Sequence, residues 1–217
     1  MSPTRRQALE RIRTARLYAI TPEAAPERIV SLVTAWLRGG VDVVQLRLKR
    51  LPRGQLVRLA DRLAPACAAA GVPFIVDDQV DVALLSGATG VHVGPDDLSV
   101  AAVRRVSGDL VVGASAATPE EAREAVRQGA DYLGSGPAYA TPIKTRKPVI
   151  GPAGVAAVAA AVTVPVFAIG GIERSRLAEL QSAGVGRVCA IRALSEAADP
   201  EAEVRAWRRA LYGSPLR

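Results

Sequence analysis

Histidine appears once and cysteine twice in these 217 residues, and that scarcity removes whole classes of chemistry at the outset. His92 alone cannot build a histidine-based zinc cluster, and it leaves Ser-His-Asp hydrolysis a single possible base. Inside Val91-His92-Val93 it reads as a satisfied packing residue before it reads as a ligand or base. Cys67 and Cys189 stand far apart in apolar surroundings, which suits buried structural thiols in a reducing compartment. Aromatic residues make up 4% of the chain and do not interleave with its cations, so a nucleic-acid surface is not expected. No apolar run approaches the ~20 residues of a membrane span. The opening MSPTRRQALERIRTARLYAI also lacks the ~7–15-residue apolar core of a signal peptide. These absences lead to an expectation of a cytoplasmic protein with neither membrane nor nucleic-acid partner.

Positive charge is what the chain has in excess, with 28 Lys and Arg against 21 Asp and Glu, a net +7 and a pI near 10.1. The arginines are spread along helical stretches rather than gathered in a run, which fits anionic small molecules better than a polyanion. Hydrophobic residues account for 49% of the chain, enough for a substantial core.

Short Val/Ile/Leu runs alternate with Ala-rich stretches of helical period. The pattern predicts strands near Leu17–Thr21, Val41–Arg47, Phe74–Asp78, Gly90–Gly94, Leu110–Ser115, Tyr132–Gly136, Val166–Gly170 and Arg187–Ile191. Helices fill the gaps near 26–38, 53–70, 79–86, 99–107, 119–128, 152–161, 173–183 and 201–212, with one more near 4–14 ahead of the first strand. Thr118-Pro119-Glu120-Glu121 carries an N-cap, a proline at the first helical position and acids in the first turn. The segments GGVDVV, GADYLG and GVGRVC repeat one helix-to-strand turn. Eight such units close most naturally into a (β/α)8 barrel, so one α/β domain over 1–217 is expected, with a helical extension over 1–15. A doubly wound open sheet is the alternative, but Ala19-Ile20-Thr21-Pro22 lacks its glycine fingerprint.

In a barrel, chemistry sits where strands end. After the second strand, side-chain alternation puts Gln45, Arg47 and Lys49 on one side and Leu46 and Leu48 on the other. The leucines face helices, so the amide and two cations face the mouth, where they suit an anionic substrate with a hydrogen-bonding ring. The third strand ends in Asp77-Asp78, and Asp96-Asp97 follow the fourth. Adjacent strands lie ~5 Å apart, close enough for these acids to converge on one cation. Carboxylates completed by substrate phosphate oxygens are a usual Mg²⁺ environment. Helix capping is the competing explanation, and Asp96 is the best candidate for a simple cap or loop role.

Three further strand ends add polar groups. Gly113-Ala114-Ser115 offers a hydroxyl. The segment Gly134 to Lys147 is the longest after any strand, with cations at Lys144, Arg146 and Lys147, and reads as a lid over phosphates. Ile169-Gly170-Gly171-Ile172 and Ala190-Ile191-Arg192-Ala193 occupy the positions where barrels commonly bind phosphate. The sum is two anion sites in one mouth, one metal-assisted and one metal-free.

Taken in order, these motifs resemble the thiamine phosphate synthase family. The resemblance runs from Leu17 to about Ser195 and includes His92-Val93-Gly94-Pro95-Asp96-Asp97 and Gly136-Pro137-Ala138-Tyr139-Ala140-Thr141-Pro142-Ile143-Lys144. It implies coupling of hydroxymethylpyrimidine diphosphate to thiazole phosphate, giving thiamine phosphate and pyrophosphate with Mg²⁺ as cofactor. Gln45, Arg47, Lys49 and Asp77 would meet the pyrimidine diphosphate, and Asp78 and Asp97 would hold the metal. Ser115 and Lys144 would contact pyrophosphate, and with Arg47 they form the implied catalytic set. Thr141, Pro142, Ile143, Gly171, Ile191 and Arg192 would receive the thiazole phosphate. The chain departs from the family pattern at Leu48 (an acid), Asp77 (Asn), Pro95 (Gln), Ile143 (Thr) and Arg192 (Ser). The implied partners are small phosphorylated molecules, and a homo-oligomer is compatible with all of this. A paralogue that binds thiazole or thiamine phosphate without coupling is one alternative. Thiazole tautomerase is another, but its catalytic histidine, two residues after Ser115, is here Ala117.

Overall fold

The computed structural model describes residues 5–141 and 148–213. Eight parallel strands close into a barrel in the order β1 to β8, each hydrogen-bonded to its sequence neighbours and β8 to β1. They are β1 (Leu17–Ile20), β2 (Val43–Leu46), β3 (Phe74–Asp77), β4 (Gly90–Val93), β5 (Val111–Ser115), β6 (Tyr132–Ser135), β7 (Val166–Ala168) and β8 (Val188–Ala190). The barrel expected from the alternating pattern is the fold found. Each strand is shorter than its apolar run, because closing a barrel needs only three to five paired residues per strand here.

Helix α1 (Arg5–Thr14) precedes the barrel, and α2 (Pro26–Gly39), α3 (Arg53–Ala69), α4 (Val80–Leu85), α5 (Val100–Val106), α6 (Pro119–Arg127) and α7 (Gly151–Ala160) follow the first six strands. A single 3₁₀ turn at Arg174–Arg176 leads into α8 (Leu177–Ser182), where one continuous helix over 173–183 is expected from the sequence. After β8 the chain makes an unexpected short α9 (Arg192–Ser195) before α10 (Pro200–Tyr212). Helix starts follow the local chemistry. The Thr118 hydroxyl accepts from the Glu121 N–H at 3.2 Å, and the Asp199 carboxylate accepts from Ala202 N–H at 3.0 Å. Among the described residues, no helix is long and apolar enough to cross a membrane.

Two apolar layers result. Between strands and helices lies a large cluster that includes Leu46, Leu48, Trp36 and Trp207, as the alternation along the second strand requires. Inside the barrel, Tyr18, Ile20, Val43, Ile75, Val111, Tyr132, Phe167 and Cys189 form a second cluster. Helix α1 closes that interior from the end where the strands begin, with Ala8 and Ile12 fully buried in the same cluster. The extension is therefore a plug. It leaves one open end, where the strands finish. Cys67 and Cys189 are buried and form no disulfide, as read from their apolar surroundings.

Candidate active site

The open end is a cavity of about 900 Å³. Gln45, Arg47, Lys49, Asp77, Asp78, Asp97, Ser115, Thr141, Gly171, Ile191 and Arg192 all line it, so the structure brings together every described residue expected there. Pro142, Ile143 and Lys144 lie outside the described residues, as do Arg146 and Lys147, the other cations of the expected lid.

The stem after β2 is clamped by the loop after β1. The buried Thr21 hydroxyl accepts from the Arg47 N–H at 2.8 Å, and Glu23 Oε1 accepts from the Lys49 N–H at 2.7 Å. Side chains at 47 and 49 are thus aimed from a fixed backbone. Arg47 Nε lies 3.4 Å from Asp77 Oδ2, and Lys49 Nζ lies 2.7 Å from Asp78 Oδ2 and 4.0 Å from Asp77 Oδ2.

Consecutive strand residues normally face opposite ways, yet Asp77 and Asp78 reach the same ammonium. The reason is the backbone at Asp78, which has φ 61°, the left-handed region that aspartate tolerates better than most residues. That turn swings the second carboxylate back over the mouth. Asp97 is fixed by a tight loop, its Oδ2 accepting from the Gly94 N–H at 2.8 Å. The Asp78 and Asp97 carboxyls lie close enough that Asp97 raises Asp78. Neither pair caps a helix. Gln79 precedes α4 without a side-chain cap, and Ser99 caps α5. Asp96 is exposed on its loop. The capping explanation for these acids is set aside.

Electrostatics in this corner are frustrated. Burial, and then the charge of Asp78, push the Asp77 carboxyl up to about 7 despite Arg47 and Lys49. Its Oδ2 is buried with no hydrogen-bond partner, since the Arg47 contact at 3.4 Å is an ion pair without hydrogen-bond geometry. Burial and the neighbouring Asp97 carboxyl also raise Asp78, against the pull of Lys49. Burial acts to lower the Lys49 ammonium, but its hydrogen bond to Asp78 and the charges of Asp77 and Asp78 raise it overall. Among the described residues no group of three or more acids, histidines or cysteines is arranged around one ion, but the neighbouring Asp78 and Asp97 carboxyls are only partly offset by cations. A hard divalent cation fits that deficit.

At the other side of the mouth, the loops after β6 and β7 pair with each other. Ala138 N–H donates to Ile169 O at 2.8 Å and Tyr139 N–H to Gly170 O at 3.0 Å. Gly171 has φ 60°, and a Cβ there would sit 2.5 Å from the Ala140 carbonyl oxygen. A glycine at a phosphate-binding strand end would let an anion approach the backbone closely. The fold supplies a nearer reason, in that the chain itself fills the space.

Among the cavity-lining residues absent from the sequence-based set are Tyr18, Tyr132, Glu173, Arg176, Glu196 and Glu203. The tyrosines could have been found from strand parity, because Tyr132 shares its face with Gly134 and Tyr18 with Ile20. Arg176 lies in a 3₁₀ turn that the helix pattern concealed, with its guanidinium 4.1 Å from the Tyr139 ring centre. His92 is satisfied by hydrogen bonds, as expected of a packing residue, but its Nε2 partner at 3.1 Å is Ser115 Oγ of the site itself.

The sequence profile of the family described as thiamine monophosphate synthase matches residues 17–194. A thiamine-phosphate synthase of Roseiflexus castenholzii is 44% identical over 194 residues, 88% of this chain and 85% of that one. One from Shouchella clausii is 41% identical over 202 residues, 90% of this chain and 96% of its own. The solved structure of a thiamine phosphate pyrophosphorylase from Pyrococcus furiosus superposes with a TM-score of 0.85 at 33% identity, covering 94% of this chain and 98% of that chain.

Proposed function

This chain belongs to the thiamine monophosphate synthase family, and we propose that it couples hydroxymethylpyrimidine diphosphate to thiazole phosphate, releasing pyrophosphate and forming thiamine phosphate. One observation carries the reading beyond family membership. Asp78 and Asp97 meet at the mouth beside the Lys49 ammonium, in the same cavity as Arg47 and Ser115. That juxtaposition of carboxylates and cations suits a metal-bound diphosphate.

In the coupling, the bond from the pyrimidine methylene carbon to the diphosphate oxygen breaks, and that carbon bonds to the thiazole nitrogen. Gln45 meets the ring, while Arg47 and Lys49 hold the diphosphate. Asp78 and Asp97 would hold Mg²⁺, which would supply positive charge to the departing pyrophosphate. Asp77, kept neutral or paired by Arg47, stands in for the amide usual at its position. Ser115 donates to the leaving group, a role the family resemblance also gives Lys144, and the loops at Thr141, Gly171, Ile191 and Arg192 fix the thiazole phosphate so that its nitrogen lies near the reacting carbon. No step of the coupling calls for a general base, which agrees with a chain holding a single histidine. A cytoplasmic location, where phosphorylated precursors are retained, belongs to the same proposal.

The test is direct. Purified protein given both substrates and Mg²⁺ is expected to release pyrophosphate and thiamine phosphate in equal amounts, and to stop when the metal is chelated. No product with both substrates present would refute the activity, and full turnover in chelator would refute the metal.

A further inference from the structure

Beneath the mouth, five strands each contribute one side chain to a continuous hydrogen-bonded chain. Gln45 Nε2 on β2 donates to Tyr18 Oη on β1 at 3.0 Å. Tyr18 Oη and Tyr132 Oη on β6 are 2.9 Å apart. Tyr132 Oη lies 3.3 Å from His92 Nδ1 on β4, and His92 Nε2 lies 3.1 Å from Ser115 Oγ on β5. The chain crosses the barrel interior and joins the residue that meets the pyrimidine to the one that meets pyrophosphate.

The strands are built to admit it. Gly113 is the register partner of both His92 and Tyr132, and a Cβ there would lie 2.1 Å from Tyr132 Cζ. At Gly134, the partner of Ser115, a Cβ would come within 3.3 Å of His92 Cε1. Two glycines inside strands, where glycine is otherwise a cost, clear the volume in which the two rings meet. Phe167 packs edge-on against both tyrosines at 5.5 and 6.0 Å between ring centres. Burial holds both phenols well above their ordinary value, so each keeps one proton to donate at neutral pH.

One proton per hydroxyl makes the chain directional. With Gln45 donating to Tyr18, the Tyr18 proton goes to Tyr132. Tyr132 then gives its own proton to His92 Nδ1. A neutral imidazole that accepts at Nδ1 carries its hydrogen on Nε2 and donates to Ser115 Oγ. The Ser115 hydroxyl hydrogen is left to turn toward the mouth, and so is Gln45 Oε1. Reversing the Gln45 amide reverses every link. We propose that Tyr18, Tyr132 and His92 are positioning residues that lock this direction, so that Gln45 presents an acceptor to the pyrimidine amino group and Ser115 a donor to the departing pyrophosphate. This rests on the proposed coupling for its purpose, but its geometry can be tested alone.

His92 is the only histidine, so an untagged, ¹⁵N-labelled protein gives one imidazole signal pair. In the wild type without substrates, long-range ¹H–¹⁵N spectra are expected to show Nδ1 as the downfield, proton-free nitrogen and Nε2 as the protonated one. Tyr132→Phe is expected to release the lock, giving tautomer-averaged shifts and a kcat lower by roughly three- to tenfold, as for one lost hydrogen bond. Tyr18→Phe is expected to act mainly on KM for the pyrimidine diphosphate, by a similar factor. A wild-type signal with the proton on Nδ1 would overturn the direction. So would a Tyr132→Phe protein whose tautomer and kcat both equal those of the wild type. The tautomer is read with no substrate present, so inactivity of the enzyme would count against the coupling and not against the chain.

Discussion

At the closed end of the barrel two aspartates are surrounded by donors, whereas at the open end three aspartates crowd one another. Asp131 accepts from Arg5 and Arg104 at 2.6 Å each and from the Val112 N–H at 2.9 Å. Asp42 accepts from the Arg16 and Leu17 N–H groups at 2.9 and 2.8 Å, from Tyr212 Oη at 2.8 Å, and pairs with Arg208. Each ties a strand start to its neighbour, which gives the repeated GGVDVV and GADYLG turns a structural purpose. Asp77, Asp78 and Asp97 have too few cations for their charge, and burial works against two of them. One residue type serves stability at one end and stores electrostatic strain at the other. Barrel enzymes separate the two tasks along the axis in this way.

Substitutions at the two ends should therefore act in opposite senses. The largest effect is expected at the closed end. Asp131→Ala removes charge-assisted hydrogen bonds from the part-buried Arg5 and Arg104 side chains and the bond from the Val112 N–H, which together cost about 3 kcal/mol. Thermal denaturation should show a melting temperature lower on the order of 10 °C, while kcat of the folded fraction stays at the wild-type value. Asp97→Asn should do the reverse, reducing kcat about a hundredfold or more with no loss of melting temperature. An inactive Asp131→Ala enzyme that melts normally would erase the distinction.

Asp77→Asn is expected to have a smaller effect, on stability and with a defined pH dependence. The carboxyl is raised from 3.8 in the unfolded chain to about 7 in the folded one, so the native state holds its proton more tightly. Below pH 4 both states are protonated and the native state bears no penalty. Stability is lost progressively as pH rises from about 4 to about 7, where only the unfolded chain ionises freely. In chelator-containing buffer the Asn variant should melt with the wild type near pH 4 and several degrees above it at pH 8. A gap that is constant across pH would contradict a buried, titrating Asp77. Smallest of all is Asp96→Asn, on an exposed position, where turnover should stay within about twofold of wild type.

The same contrast explains what was legible in the chain. Alternating Val-rich runs and Ala-rich helical stretches declare a parallel sheet covered by helices, and eight successive short units without a glycine fingerprint after the first strand point to closure into a barrel. Strand parity also places Gln45, Arg47 and Lys49 in the mouth. It could not place Asp78, whose left-handed backbone breaks the alternation. The plug formed by α1 was hidden because Ala8 and Ile12 look like any amphipathic face until the barrel interior is known. The extra turn at Arg192–Ser195 was too short for a periodic signal, and the Tyr18–Tyr132–His92 chain depends on residues far apart in sequence that only closure of the sheet unites.

Titration calorimetry of Mg²⁺ into protein containing saturating pyrophosphate tests the central claim most directly, using the wild type and an Asp78→Asn/Asp97→Asn variant shown to be folded. The account expects metal uptake by the wild-type complex beyond that of pyrophosphate alone, and none by the variant. Equal Mg²⁺ affinity in the two proteins would mean that these carboxylates hold no cation, and the reading of the mouth as a metal-diphosphate site would fail.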